Sequence, residues 1–74
     1  MTKREKEILF NAEKSILKLR EDIKRRGAEL SDGEFIALVS GFFSGLGFAL
    51  DAFNIETSEG FENEALASMT RIAD

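Results

Sequence analysis

The 74-residue sequence has no cysteine, histidine, proline, tryptophan or tyrosine. Without cysteine or histidine it has no disulfide, no nitrogen- or sulfur-ligated metal site, no thiolate nucleophile and no ordinary proton shuttle near neutral pH. Catalysis would have to rest on serine, threonine, lysine and carboxylates, in a body too small for a deep pocket. The chain is therefore not expected to be an enzyme. The lack of proline favours long uninterrupted helices, because nothing removes a helical donor or clashes with the preceding turn.

A chain this short makes one domain, residues 1–74, and buries only about 60% of the surface its unfolded form exposes. With disulfides and structural zinc excluded, self-association is the remaining way to reinforce so small a core. The opening residues, Met1 to Glu7, carry charge of both signs, unlike the basic start and apolar run of a secretory signal. A cytoplasmic location is expected.

The net charge of −4 hides a strong asymmetry. Residues 1–27 carry nine basic and five acidic side chains, a net of +4; residues 28–74 carry Arg71 against nine acids, a net of −8. Such a division suits a polyanion-binding arm, or two halves that pack on one another.

Three helices follow from periodicity and punctuation. Thr2-Lys3-Arg4-Glu5 reads as a capping box, in which the threonine and glutamate side chains each satisfy a free backbone N–H. Ile8, Ala12, Ile16, Leu19 and Ile23 then recur on one helical face, widened by Leu9. Lys24-Arg25-Arg26-Gly27 supplies cations and a glycine for the C-terminus, which predicts a helix over about 3–26. Phe10 and Leu17 fall off the apolar stripe, two turns apart on the opposite side, and are candidates for contact with a second chain.

Ser31-Asp32-Gly33-Glu34 repeats the capping box and predicts a second helix over about 32–53. From Phe35 to Leu50 that helix contains no charge. Phe35, Val39, Phe42, Leu46, Leu50 and Phe53 form its main stripe, with Ile36, Leu38, Phe43 and Phe48 spreading apolar surface around it. The pattern predicts a central helix contacted from several directions, with Phe42 and Leu46 nearly fully buried. Ala37, Gly41, Gly45 and Ala49 sit four apart and make a ridge of small residues that another helix could approach closely. A break near Gly45-Leu46-Gly47 is the alternative to a continuous helix. The uncharged run falls short of the ~20 residues a bilayer core requires, and two amphipathic neighbours are expected to cover it, so a membrane span is the lesser expectation.

Residues 54–60 read as a turn in which Thr57 or Ser58 could cap a third helix over about 58–73. Phe61, Ala65, Met69 and Ile72 mark its inner face, with Leu66 and Ala73 beside it. Glu56, Glu59, Glu62 and Glu64 gather at its start, where the helix dipole favours anions. They lack the spacing of a calcium-binding loop, and no metal or cofactor is expected. Ser40, Ser44 and Ser68 have no histidine or neighbouring lysine to activate them, and no phosphate-binding glycine pattern is present.

Arg4, Lys14, Lys18 and Arg25 lie near one line of the first helix and are the weak candidates for polyanion contact. Glu7, Glu21 and Asp22 interrupt that line, and Glu21–Arg25 and Asp22–Arg26 have the spacing of stabilising pairs within the helix. The expected architecture is an all-α hairpin of two long helices closed by a shorter third, completed as a dimeric helical bundle. The expected function is a small homodimeric protein–protein interaction module: a regulator, adaptor or inhibitor of a larger protein. A nucleic-acid-binding accessory role through helix one, and membrane association through helix two, are the alternatives.

Overall fold

The computed structural model describes residues 1–73, and its regular elements are three helices: α1 (Lys3–Arg25), α2 (Asp32–Ala52) and α3 (Phe61–Ala73). The all-α expectation is met. The molecule measures 39 × 23 × 19 Å. Each helix touches both of the others.

Local chemistry sets the helix ends. Both capping boxes form: Glu5 N–H donates to Thr2 Oγ1 at 3.1 Å while Thr2 N–H donates to Glu5 Oε1 at 2.8 Å. Ser31 and Glu34 repeat the exchange at 2.9 and 3.2 Å. α1 stops at Gly27, whose φ of +89° turns the chain. There Ala28 N–H bonds the Ile23 carbonyl and Gly27 N–H that of Lys24, the paired closure of a Schellman end. α2 ends in the same way with Asn54 at φ +53°, Ile55 N–H reaching Leu50 and Asn54 N–H reaching Asp51. α2 is continuous through Gly45-Leu46-Gly47, so the alternative of a break is set aside.

The core joins Leu9, Ala12 and Ile16 of α1 to Phe35, Val39, Phe43 and Leu50 of α2 and Phe61 of α3. Ile16 and Val39, at 0% and 1% exposure, are its centre. Ile8, Leu38, Ala65, Met69 and Ile72 pack against it from the edges. The Arg20 guanidinium lies 4.6 Å from the Phe35 ring centroid, fastening the end of α1 to the start of α2.

Five expectations need correction. Leu19, placed on the inner face of α1 by spacing, is 39% exposed, and the buried apolar places on that helix go to Leu9, Ala12 and Ile16. Phe42 and Leu46 are half-buried, and Phe43, 7% exposed, takes the central place, with its ring edge-on to Phe42 at 6.3 Å. Phe53, placed in the stripe by spacing, caps α2 and is 77% exposed. α2 is not covered from several directions: α1 and α3 pack on one side of it and leave the other open. α3 begins at Phe61 rather than near residue 58, because Gly60 takes φ +93° and Ser58 gives its hydroxyl to Glu5 instead of capping the helix.

Candidate interaction surfaces

Three surfaces stand out once the helices are assembled. The first is the outer face of α2. Between Glu34 and Asp51 its exposed positions are Ile36, Ala37, Ser40, Gly41, Ser44, Gly45, Gly47, Phe48 and Ala49, none charged. Phe48 is 78% exposed and Ile36 49%. The ridge of Ala37, Gly41, Gly45 and Ala49 lies on this face, and a methyl group added at Gly41, Gly45 or Gly47 would meet nothing within 4 Å. Neither α1 nor α3 occupies the ridge. By length and composition α2 could also cross a membrane, with mean hydropathy 1.7 over an 18-residue window of which 17% is buried.

The second surface is on α1. Leu9, Ala12 and Ile16 face the core, which leaves Phe10 51% and Leu17 41% exposed about 120° round the helix, beyond the Glu13 side that faces α3. The Lys14 ammonium sits 5.2 Å from the Phe10 ring centroid. At 100° per residue, Lys3, Lys6, Lys14 and Lys24 all fall within about 50° of the Phe10–Leu17 line. Glu13 and Glu21 lie in the same arc, Glu13 already engaged by Ser68 and Arg71, so this is an apolar seam bordered by four lysines and interrupted by Glu21.

The third surface is a groove of about 460 Å³ between α2 and α3. Phe43, Leu46, Leu50, Phe61, Ala65 and Met69 form its apolar lining, and Gly47 leaves its wall open because it has no side chain. Asp51 and Glu62 stand on its rim, with Ser44 and Thr57 as the neighbouring hydroxyls. The groove is an apolar trough with a polar, carboxylate-bearing rim.

The polyanion candidates Arg4, Lys14, Lys18 and Arg25 are all exposed on the outside of α1. Arg25 is engaged by Asp22 at 2.9 Å, three residues back, in place of the Glu21–Arg25 and Asp22–Arg26 pairs that spacing predicts. Acidic side chains remain interspersed along that surface. Among the described residues no three acidic side chains converge in a way that could hold a metal ion.

Two polar junctions, one on buried Glu5 and one on half-buried Glu13, were not found from sequence. Glu5, 6% exposed, accepts hydrogen bonds from Thr2 N–H and from both the hydroxyl and the N–H of Ser58, each of the latter at 2.6 Å. The Ser58 hydroxyl does most to hold the Glu5 pKa down to about 2, followed by the Thr2 and Ser58 amides, against a smaller opposing effect of burial. Further along α1, Glu13 accepts from Ser68 Oγ at 2.5 Å and Arg71 at 2.7 Å. Burial alone would raise the Glu13 pKa, but the Ser68 and Arg71 hydrogen bonds and the arginine charge outweigh it and hold it low. These junctions fix α3 and its leading loop alongside α1. That placement shapes the groove.

No family model, curated protein or solved structure matches the chain.

Proposed function

We propose that this chain is a non-catalytic protein–protein interaction module of the cytoplasm, a homodimer that regulates, bridges or inhibits a larger protein. The observation that carries the reading is the outer face of α2: uncharged from Ile36 to Ala49 and uncovered by the chain's own helices. Small residues let a partner helix approach its backbone, and Phe48 offers a large anchor beside them. Apolar surface gathered on one face, rather than scattered singly, is the mark of an interaction site.

The test compares wild type with Phe48→Glu as bait in the native host. Phe48 makes little use of its own fold, so the variant should melt like wild type. A partner identified by mass spectrometry and lost with Phe48→Glu supports the reading; an identical partner set with both baits overturns it. The length and hydropathy of α2 favour a membrane as the second reading, and flotation of the protein with liposomes, abolished by Phe48→Glu, would replace the first. Binding to nucleic acid through Arg4, Lys14, Lys18 and Arg25 would instead show steep salt dependence.

A further inference from the structure

We infer that two copies of this chain pair reciprocally, each setting its lysine-bordered Phe10 seam into the acid-rimmed groove between α2 and α3 of the other. The inference rests on the homodimer reading and supplies its interface. Both surfaces remain open within one chain. α1 docks through Leu9, Ala12 and Ile16, which turns Phe10 and Leu17 outward. Asp51 and Glu62 on the groove rim form no ion pair among the described residues, and neither do Lys3, Lys6, Lys14 and Lys24 beside the seam.

The two surfaces complement each other in charge and in apolarity. Lysines flank an exposed aromatic ring on one; carboxylates flank an apolar trough on the other. Unlike charges at a rim steer association and fix register, while the apolar residues supply the affinity. The topology also lets both contacts form at once. Glu5 with Ser58 and Glu13 with Ser68 show that α1 and α3 run in the same direction, side by side. Glu13 lies level with Ser68, so Phe10, three residues earlier, is level with Ala65 in the groove lining, and Lys6, seven residues earlier, is level with Phe61, next to Glu62. A two-fold axis running along α3 keeps those levels. It brings each Phe10 to the groove of the other copy and each Lys6 to the other Glu62. The residues then left near the axis, Asn63, Ala67 and Thr70, carry no charge. Because one operation satisfies both contacts, the assembly closes at two chains.

Sedimentation equilibrium over micromolar concentrations reads the assembly directly. Wild type should reach twice 8.2 kDa, and high salt should weaken it. Phe10→Ser should weaken the dimer by about 30-fold or more, as removal of an interface anchor does. Gly47→Leu should do the same by filling the groove, and its Cβ has open space around it in the chain's own fold. The sharpest arm exchanges charge. Lys6→Glu with Lys3→Glu, and Glu62→Lys with Asp51→Lys, should each leave monomers, and mixing the two variants should restore a dimer. Circular dichroism melts check that each variant is folded. A single 8.2 kDa species for wild type overturns the dimer itself, leaving the α2 face to be judged by its own bait experiment. A dimer that survives Phe10→Ser and Gly47→Leu, or charge variants that fail to rescue one another, overturns this interface while the dimer stands. Masses above the dimer overturn the two-fold closure.

Discussion

Glu5 and Ser58 lie 53 residues apart and are joined by two 2.6 Å hydrogen bonds, one from the Ser58 amide and one from its hydroxyl, to the two carboxylate oxygens of Glu5. A carboxylate that had been placed to cap α1 thus also holds the loop that leads into α3. Its ionised form accepts every one of these bonds, and its pKa falls to about 2 for that reason. The folded pKa is therefore below the unfolded value of about 4.3. The junction stabilises the fold in full above the unfolded pKa, and its contribution is lost as pH falls from there toward 2. Glu13 and Glu34 shift in the same direction and add to the trend. Thermal melts should show Glu5→Gln clearly less stable than wild type at neutral pH, with the gap narrowing as pH drops. A gap independent of pH would show that the charge of Glu5 is immaterial to the junction.

Phe43 and Phe42 are adjacent but should respond very differently to truncation. Phe43 is buried in the core, so Phe43→Ala leaves a cavity and should cost about 3–5 kcal/mol. A chain of this length is expected to have only about 4–11 kcal/mol of stability. Phe42 is half-buried, and Phe42→Ala should cost about 1–2 kcal/mol. Urea unfolding of the two variants reads the difference, and equal losses would place the core on the wrong side of α2.

How much was legible in the sequence differs between these elements for physical reasons. The capping boxes at Thr2 and Ser31 and the glycine stop at Gly27 are local chemistry, complete within four residues, and they form as read. The inner stripe of α1 was visible in part because charged residues outline it: Ala12 and Ile16 are buried as read, while Leu19 is exposed and Leu9 takes a core place. α2 gave no such outline: an uncharged run does not say which side faces inward, and the spacing pointed to Phe42 and Leu46 where packing chose Phe43. Ser58 read as a cap because its rival partner, Glu5, is remote in sequence. The α2–α3 groove could not be read at all, since its lining, Gly47 and Met69 among it, comes together only when two helices pack. The Phe10–Leu17 pair, by contrast, was marked by spacing alone and lies where that spacing puts it.

Ser68 and Arg71 both donate to Glu13, yet they should matter unequally. Ser68 is 1% exposed, and Ser68→Ala removes a buried donor from an ionised acceptor, which should cost about 1.5–3 kcal/mol. The Arg71 side chain is 67% exposed, and solvent screens its pairing with Glu13. Arg71→Ala should cost no more than about 1 kcal/mol, and less in high salt. Chemical denaturation with and without added salt separates the two, and a salt-insensitive Arg71 effect as large as that of Ser68 would contradict this ranking.

Gly41 and Gly45 permit a prediction of sign. Each glycine costs a helix interior about 1 kcal/mol relative to alanine, and in the folded chain no atom stands within 4 Å of the methyl group that alanine would add. If the glycines served packing within the chain, alanine would destabilise it. The open surroundings lead to the opposite expectation: Gly41→Ala and Gly45→Ala should each stabilise the fold by about 0.4–1 kcal/mol. For a domain of this size that raises the melting midpoint by roughly 2–8 °C. Self-association through Phe10 and the α2–α3 groove should be untouched, because the ridge lies outside both surfaces. Binding of a partner helix to the outer face of α2 should weaken, since the methyl groups push its backbone away. Higher stability, unchanged dimerisation and poorer partner capture together would assign the glycines to binding; a fall in melting temperature at either site would return them to the fold.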